Sequence, residues 1–204
     1  MTEQVFLVDD QAAVRKAMKR LLASAGYDVV AYESARAFLD SGMADAAGCL
    51  VLDLEMPDMN GLALQQALAG SLLPVIFLTG HGDIGSGVRA MKAGASDFLT
   101  KPVDGAILLA AVQGALDQNR VARAEQAECD ELRARLDSLT PREREVLALL
   151  VEGKLNKQIA DQLGIVEKTI KVHRARVLAK MKVRSSTALV RLVDRVQRAA
   201  GDRT

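Results

Sequence analysis

Short apolar runs alternate with longer mixed stretches through the first half of the chain. The runs occupy residues 5–8, 29–32, 50–52 and 75–78, with a shorter one near 98–99. Three of them, 5–8, 50–52 and 75–78, are continuously apolar, a pattern typical of parallel strands that are covered on both faces. Helix-length stretches separate the runs, at about 11–25, 34–41, 61–70, 84–94 and from 104 onward. This pattern predicts an α/β domain with a doubly wound, parallel, five-stranded sheet.

The strand signals end near residue 104. Between residues 105 and 138 only Gly105 and Gly114 would interrupt a helix, so the last helix of the first domain is expected to run on as a linker. Leu132, Leu136 and Leu139 follow one another at spacings of four and three, which permits a short coiled-coil seam. The alternative is one exposed helix that a few leucines anchor.

A new unit is expected to start at Thr140. Thr140 suits an N-cap, Pro141 suits the first helical position, and Glu143 completes a capping box. Four helix-length segments follow, at about 141–152, 156–163, 167–181 and 185–200. We therefore predict an α/β domain over 1–118, a helical linker over 119–138 and a small all-α domain of four helices over 139–204.

Charge is distributed unevenly along the chain, although the net charge is only +1. Residues 1–116 carry a net charge of −5 and residues 117–138 carry −2, whereas residues 139–204 carry +8. A basic C-terminal part indicates a nucleic-acid partner.

Cysteine usage and hydropathy restrict the cellular setting. Cys49 and Cys129 lie far apart and match no metal-binding spacing, so we expect reduced thiols in a cytoplasmic protein. No apolar run approaches the roughly 18 residues that a membrane-spanning helix needs, and the N-terminus lacks the basic segment of a signal peptide. No membrane association is therefore expected.

Acidic side chains directly follow two of the predicted strands. Asp9 and Asp10 come after the first strand, and Asp53 comes after the strand at 50–52. In open parallel sheets, ligands bind at the carboxyl ends of the strands, where these three carboxylates should meet. Carboxylates held so close repel one another unless a cation neutralises them. Hard oxygen ligands in a hydrated site suit Mg²⁺.

Two further strand ends add a hydroxyl group and an ammonium group. Thr79 follows the run at 75–78, and Lys101 follows the run near 98–99. This combination suits phosphoryl transfer, because a carboxylate can act as the nucleophile while the other groups contact the phosphoryl oxygens. Any one of these residues alone would be interpreted as a solvated loop residue, and it is their shared position that favours a site.

These motifs resemble the CheY-like receiver domain of two-component response regulators. The matching stretches are VDD (8–10), LDLEMPDMNG (52–61), LTGHGD (78–83) and MKAGASDFLTKP (91–102). The resemblance implies that Asp53 is the phosphoacceptor, Thr79 the switch hydroxyl, Lys101 the phosphoryl-binding lysine and Phe98 the switch aromatic residue. Lys101-Pro102 resembles the cis peptide of that family.

The same resemblance implies the metal ligands and the reaction. Mg²⁺ is assigned to Asp10, Asp53 and the backbone carbonyl of Glu55, with Asp9 close by. The domain would catalyse its own phosphorylation from a phosphohistidine of a sensor kinase.

One departure from the family lies in the predicted fourth helix, which opens with Gly82, Gly85 and Gly87. Because an interior glycine costs a helix about 1 kcal/mol relative to alanine, we expect a weak first turn. The alternative is that these glycines permit close packing.

The basic stretch 155–181 is predicted to form two helices joined by a short turn at Gly164, which is the arrangement of a helix-turn-helix. A solvated basic face on a helical bundle is the alternative. From 139 to 193 the chain resembles the LuxR-type helix-turn-helix domain, through TPREREVLALLVEG, NKQIADQLGI and KTIKVHRARVLAKM. Together with the receiver domain, this resembles the FixJ/NarL class of transcriptional regulators.

This second resemblance implies the residues that contact DNA. It places the helix at 167–181 in the major groove, with Lys171, Val172 and Ala175 as candidates for contacts with base edges. Phosphate contacts position a protein without specifying sequence, and the candidates for them are Lys157, Lys168, Thr169, Arg174 and Arg176. Val166 stands where the family usually has a capping Ser or Thr, and the loss of such a cap costs about 0.5–2 kcal/mol.

We therefore expect a cytoplasmic, phosphorylation-dependent transcriptional regulator that is not an enzyme beyond its own phosphorylation and dephosphorylation. Its expected partners are a sensor histidine kinase, double-stranded promoter DNA and, after phosphorylation, a second copy of the chain, with RNA polymerase as a further candidate. Two alternatives stay open. The receiver could serve dimerisation only, without phosphorylation, or the acidic site could belong to a Mg²⁺-dependent phosphatase.

Overall fold

The computed structural model of the chain describes residues 3–80 and 84–201. His81, Gly82 and Asp83, which belong to the predicted motifs, therefore lie outside the described residues. The chain divides into two compact units, Met1–Arg123 and Ala124–Thr204, and each is described by itself.

The first unit alternates strands and helices, as the sequence predicts. Its strands are β1 (Gln4–Val8), β2 (Asp28–Tyr32), β3 (Gly48–Asp53), β4 (Val75–Thr79) and β5 (Asp97–Thr100). Its helices are α1 (Ala12–Ser24), α2 (Ala35–Asp40), α3 (Gly61–Ala67), α4 (Ile84–Lys92) and the first part of α5 (Gly105–Asp137). A single turn of 3-10 helix covers Met43–Asp45.

All five strands pair in parallel, in the order β2-β1-β3-β4-β5. Successive residues of a strand face opposite sides of the sheet. Phe6 belongs to a core that includes Phe38 of α2. Leu7 belongs to a second core that includes Leu22 of α1 and Leu108 of α5. Burial on both faces explains the continuous apolar runs and confirms the predicted doubly wound sheet.

The regular elements in the described part of the second unit are all helices. It contains the rest of α5, then α6 (Pro141–Val151), α7 (Asn156–Leu163), α8 (Glu167–Lys180) and α9 (Ser186–Gly201). The predicted capping box at the start of α6 is confirmed. The backbone N–H of Glu143 donates to Oγ1 of Thr140 at 3.3 Å, and the backbone N–H of Thr140 donates to Oε2 of Glu143 at 2.9 Å.

The leucines near the end of α5 are buried within the second unit. Leu139 belongs to its hydrophobic core, Leu136 packs against that core, and Leu132 is buried as well. The packing of Leu136 and Leu139 within the second unit favours the interpretation as anchoring leucines over a coiled-coil seam. Within the described residues, no helix combines the length and the apolar character that a membrane span needs.

A partly buried ion pair joins α6 to α8. Nζ of Lys180 donates to Oε2 of Glu143 at 2.6 Å and to the carbonyl of Ser138 at 2.8 Å. The hydrogen bond from Lys180, together with the backbone N–H of Thr140, lowers the pKa of Glu143 to about 2. The charged form of Glu143 is therefore the one that the fold stabilises.

Replacing Glu143 by Gln is expected to lower the melting temperature of the second unit at neutral pH, with a smaller loss in acid. Because the folded pKa of about 2 lies below the ordinary 4.5, the carboxylate stabilises the fold above about pH 4.5, and this contribution is lost as the pH falls towards about 2. Thermal unfolding of the full chain at neutral pH and at about pH 3 measures this. Glu125→Gln, at an exposed position of α5, is the control. A difference between Glu143→Gln and wild type that does not change with pH would contradict the assignment.

Candidate functional site

The strand ends of the first unit bring together four residues that the sequence predicts for the site. Lys101, which follows β5, donates from Nζ to Oδ2 of Asp9 at 2.7 Å and to Oδ2 of Asp53 at 2.8 Å. Asp9 and Thr79 are fully buried, and Asp53 is 3% exposed. Asp53 pairs with Leu78 across β3 and β4, so Thr79 is the next residue beyond its partner. The predicted nucleophile, ammonium and hydroxyl therefore share one edge of the sheet.

The electrostatics of this cluster are dominated by burial and by the two acids beside one lysine. Burial raises the pKa of Asp53, and the charge of Asp9 acts in the same direction, whereas the hydrogen bond and charge of Lys101 oppose this rise without cancelling it. Burial also disfavours the charge of Lys101, but its hydrogen bonds to Asp53 and Asp9 outweigh that effect and raise the pKa of Lys101. Lys101 is thus held protonated between the two carboxyl groups.

The three predicted carboxylate ligands meet at one point. One carboxylate oxygen from each of Asp9, Asp10 and Asp53 lies within 4.8 Å of the others, and Asp10 is the exposed member. Hard oxygens that face water on one side fit Mg²⁺, which usually keeps several of its water ligands. One lysine does not balance three carboxylates, so the charges also fit a divalent cation. The backbone N–H of Glu55, whose carbonyl is the fourth predicted ligand, donates to Oδ1 of Asp53 at 3.4 Å.

Arg15 supports the loop that carries two of these acids, a role that the sequence analysis missed. Its Nη1 donates to the backbone carbonyls of Asp9 at 2.7 Å and of Asp10 at 2.8 Å. The backbone N–H of Gln11 donates to Oδ1 of Asp9 at 2.8 Å. These bonds hold the backbone of both acids and orient the carboxylate of Asp9. The sequence shows only an arginine in the first turns of α1, and nothing in the sequence distinguishes it from an ordinary surface arginine.

The turn after β3 is held close to Asp53 by a glycine. A Cβ on Gly61 would lie 2.5 Å from the carbonyl oxygen of Asp53 and 2.8 Å from Cε1 of Phe77, so a larger residue cannot be placed there without movement. The N–H of Gly61 donates to the carbonyl of Leu54 at 2.9 Å. The start of α3 is therefore packed directly against the strand that ends in the predicted phosphoacceptor.

The predicted switch aromatic residue lies on the neighbouring strand. Phe98 is half-buried, it pairs with Phe77 across β4 and β5, and the centroids of the two rings are 6.3 Å apart. Thr79 pairs with Thr100, two residues further along β5. The Lys101-Pro102 peptide is cis, as the resemblance implies.

In the second unit, α8 presents the residues that the sequence predicts for base contacts. Lys171, Val172 and Ala175 are all exposed. Nζ of Lys171 lies 3.3 Å from Oε1 of Glu167, and both side chains are largely exposed. Such an exposed ion pair contributes little to stability, so it does not hold Lys171 away from a predicted contact with DNA. Among the predicted phosphate contacts, the exposed members are Lys157, Lys168 and Arg176, while Thr169 is half-buried.

Arg174 is placed differently from the other predicted phosphate contacts. Its side chain is half-buried, with Nη1 donating to Oδ1 of Asn156 at 3.0 Å and Nη2 donating to Oγ of Ser186 at 2.8 Å. The guanidinium therefore joins α8 to the starts of α7 and α9. Sequence reasoning did not foresee these contacts, and the contact of Arg174 with phosphate stays a prediction.

Val166 is the N-cap of α8, is 67% exposed and makes no capping hydrogen bond through its side chain. Val166→Ser is expected to keep or raise the melting temperature, because a serine oxygen can accept from a free N–H of the first turn, a gain of about 1 kcal/mol. Thermal unfolding of the full chain checks this, with Val166→Ala as the matched variant that lacks the acceptor. A clearly lower melting temperature for Val166→Ser than for Val166→Ala would contradict the capping argument.

Two family models match the chain. The model of the response regulator receiver domain matches residues 5–113, and the model of the bacterial regulatory proteins of the luxR family matches residues 137–193. The first match covers the acidic cluster and the second covers α7 and α8.

Similar proteins match over nearly the whole chain. Nodulation protein W of Bradyrhizobium diazoefficiens is 44% identical over 190 residues, which cover 92% of this chain and 84% of that protein. The transcriptional regulatory protein FixJ of Rhizobium meliloti is 44% identical over 191 residues, which cover 92% of this chain and 93% of that protein. The solved structure of the response regulator StyR is 44% identical, with a TM-score of 0.88, and the match covers 95% of this chain and 99% of that chain.

Proposed function

This chain belongs to the response regulators that combine a receiver domain with a LuxR-family DNA-binding domain, and we propose that phosphorylation of Asp53 controls its binding to promoter DNA. The observation that carries the proposal is the position of Lys101, whose Nζ contacts Asp9 at 2.7 Å and Asp53 at 2.8 Å at the edge of the sheet. This arrangement supports phosphoryl transfer because a fixed positive charge lies beside the accepting carboxylate.

The phosphoryl donor is a phosphohistidine of a sensor histidine kinase. A carboxylate oxygen of Asp53 forms a bond to phosphorus while the bond between phosphorus and the histidine nitrogen breaks, and that nitrogen takes its proton from solvent. Lys101 and Thr79 then donate hydrogen bonds to the phosphoryl oxygens. Because the pKa of Lys101 is raised by its two acidic partners, it keeps its proton throughout this step.

Asp9, Asp10, Asp53 and the carbonyl of Glu55 are the proposed ligands of Mg²⁺. When bound, the ion supplies positive charge that neutralises phosphoryl oxygens in the transition state. Arg15 contributes by holding the carbonyls of Asp9 and Asp10, so that the backbone that carries the two acids keeps its position.

The added group brings a charge of about −1.5 to −2, and we propose that Thr79 and Phe98 transmit it. Thr79 moves towards the phosphoryl group, and the ring of Phe98 moves into the space that this frees. Such a switch passes from 1:99 to 99:1 only if phosphorylation favours one state by about 5.5 kcal/mol, which a few charge-assisted hydrogen bonds supply.

The phosphorylated chain is proposed to bind DNA as a homodimer, with RNA polymerase as a further partner. A single small basic domain binds DNA weakly and with strong salt dependence, so pairing two of them on half-sites about one helical turn apart adds affinity and specificity. Both the kinase reaction and promoter DNA favour a location in the cytoplasm. No turnover of an outside substrate is proposed, because phosphorylation serves here to regulate DNA binding.

The test uses a duplex selected from a random-sequence pool by the full chain in the presence of acetyl phosphate and Mg²⁺, below called the selected duplex. Wild type and Asp53→Asn are titrated with it, each with and without acetyl phosphate. We expect tighter binding with the donor for wild type only. Equal binding in all four titrations would support a regulator that acts without phosphorylation, and steady hydrolysis of added phosphomonoesters would support the phosphatase alternative.

A further inference from the structure

Gln65, a residue of α3, is buried and holds the end of a neighbouring helix. It is 8% exposed, which is unusual for a glutamine. Its Nε2 donates to the backbone carbonyls of Ala90 at 3.3 Å and Ala93 at 3.2 Å. These carbonyls lie in the last turn of α4 and directly after it. The carbonyl of Ala90 also accepts from the backbone N–H of Ala95 at 3.0 Å, so Gln65 adds a side-chain contact to an end that backbone hydrogen bonds already close. Gln65 thus ties the carboxyl end of α4 to α3.

The orientation of this amide follows from its surroundings. Both contacted atoms are carbonyl oxygens, which accept hydrogen bonds, so the amide nitrogen and not the oxygen must face them. Oε1 of Gln65 is then left buried without a hydrogen-bond partner among the described residues. A buried acceptor without a partner is unfavourable, and packing alone would be served better by an apolar side chain of the same length.

The other half of α4 is attached in a different way. Gly87, in the first half of α4, faces the ring of Phe98, and a Cβ at that position would lie 3.3 Å from Cε1 of the ring. At Gly87, this contact favours the interpretation that the glycine permits close packing. The first half of α4 therefore packs against Phe98, the predicted switch residue, whereas its last turn is hydrogen-bonded to α3.

We propose that Gln65 is a positioning residue for the phosphorylation response. It holds the carboxyl end of α4 against α3. A movement of Phe98 then displaces only the first half of α4, which contains Gly87, and not the whole helix. This inference rests on the proposed function, because it assigns Gln65 a part in passing the state of Asp53 on to DNA binding. Gln65 does not contact the acidic cluster in the described structure and has no part in the phosphoryl transfer itself.

Gln65→Met tests this role, with Gln66→Met as the matched control at an exposed position one residue along α3. Methionine keeps the length of the side chain, loses both donors and removes the unpartnered acceptor. The ratio of affinities for the selected duplex with and without acetyl phosphate is expected to fall by about threefold to tenfold in Gln65→Met. The phosphorylated fraction of Asp53, measured by intact mass, is expected to equal that of wild type. Gln66→Met is expected to match wild type in both measurements.

Hydrogen exchange provides a readout that does not depend on DNA. Amide exchange in α4 is expected to be faster in Gln65→Met than in wild type, and exchange in β1 and β3 is expected to be unchanged. Faster exchange throughout the first unit would mean general destabilisation and would overturn the positioning role.

A second variant addresses the other half of α4. Gly87→Ala places a Cβ against the ring of Phe98 and is expected to alter the donor-dependent affinity ratio by a similar factor. Gly114→Ala is the matched control, because a Cβ there meets nothing within 4 Å. It should leave the ratio unchanged.

The outcomes separate the two proposals. If wild type binds the selected duplex equally with and without the donor, the proposed function fails and this inference fails with it. If wild type responds and Gln65→Met responds to the same extent, the inference alone is overturned. A lower ratio in Gln65→Met that is explained fully by a lower phosphorylated fraction of Asp53 also overturns it.

Discussion

Replacing Lys101 by Met is expected to lower the free energy of unfolding of the first unit by about 3 kcal/mol at neutral pH without Mg²⁺, the lower end of the range for breaking a buried ion pair. The side chains of Lys101, Asp9 and Asp53 are 16%, 1% and 3% exposed. Methionine keeps the apolar stem but removes the only ammonium group that contacts both acids in the described structure. Two buried carboxyl groups then face each other without a counter-charge, which is costly.

The pH dependence of this loss has a definite sign. Burial already raises the pKa of Asp53 against the opposing effect of Lys101, so without Lys101 the folded pKa of Asp53 rises further above its unfolded value. An acid with a raised folded pKa destabilises the fold at high pH, and the deficit shrinks as the pH falls and the carboxyl becomes protonated. Denaturant unfolding at neutral pH and at about pH 5, with a chelator present, should therefore show a smaller difference in acid.

Three further measurements make this prediction specific. Lys19→Met, at an exposed position of α1, is the control for loss of a lysine. Adding Asp53→Asn to Lys101→Met is expected to restore part of the stability, because one buried charge is removed. Mg²⁺ is expected to stabilise Lys101→Met as a ligand that binds the folded state. If Lys101→Met unfolds at the same denaturant concentration as Lys19→Met, the bridging contacts contribute nothing and the electrostatic account is wrong.

The acidic edge of the sheet was predictable because it follows from local sequence and from the topology of parallel sheets. A continuous apolar run has to be a strand covered on both sides, and its carboxyl end then lies at the same edge as those of its neighbours. The sequence pattern alone therefore predicts that Asp9, Asp53, Thr79 and Lys101 lie together at this edge. It could not show that Lys101 bridges both acids, because that depends on the directions of long side chains.

Gln65 and Gln66 show where sequence reasoning ends. Both are glutamines of α3, and a glutamine in a helix is normally interpreted as a solvent-facing residue. Only the rotation of α3 against the sheet buries Gln65 at 8% exposure and leaves Gln66 exposed. Arg15 was missed for the same reason. Its partners are backbone carbonyls. Every residue has a backbone carbonyl, so the amino-acid sequence does not indicate which of them Arg15 contacts.

The end of the first unit was also hard to locate from the sequence. The predicted linker begins at residue 119, whereas the compact first unit extends to Arg123. Asn119 explains part of the difference. It is 1% exposed, accepts from the N–H of Gly48 at 3.1 Å and donates to the carbonyl of Leu72 at 2.6 Å. A polar residue on a continuous helix gives no sequence signal of such buried contacts.

Replacing Arg174 by Ala is expected to weaken both the fold of the second unit and its binding to DNA. Arg174 donates to Asn156 at 3.0 Å and to Ser186 at 2.8 Å, and hydrogen bonds to a charged group contribute about 1.5–3 kcal/mol each. Because the side chain is only half-buried, we expect a loss of about 2 kcal/mol in the free energy of unfolding. The affinity for the selected duplex should fall as well, since α8 is held less firmly against α7 and α9.

Arg176 of the same helix is the matched comparison, because it is exposed and is a predicted phosphate contact. Arg176→Ala is expected to leave the unfolding free energy unchanged and to lower the salt dependence of DNA binding by about one phosphate contact, a slope change of about 0.9. Denaturant unfolding of the full chain and titrations at several salt concentrations give both quantities. If Arg174→Ala is as stable as Arg176→Ala and shows the same change in salt slope, Arg174 acts as a plain phosphate contact. Its bonds to Asn156 and Ser186 would then not position α8. The role of Arg174 would be the phosphate contact that the sequence alone predicts.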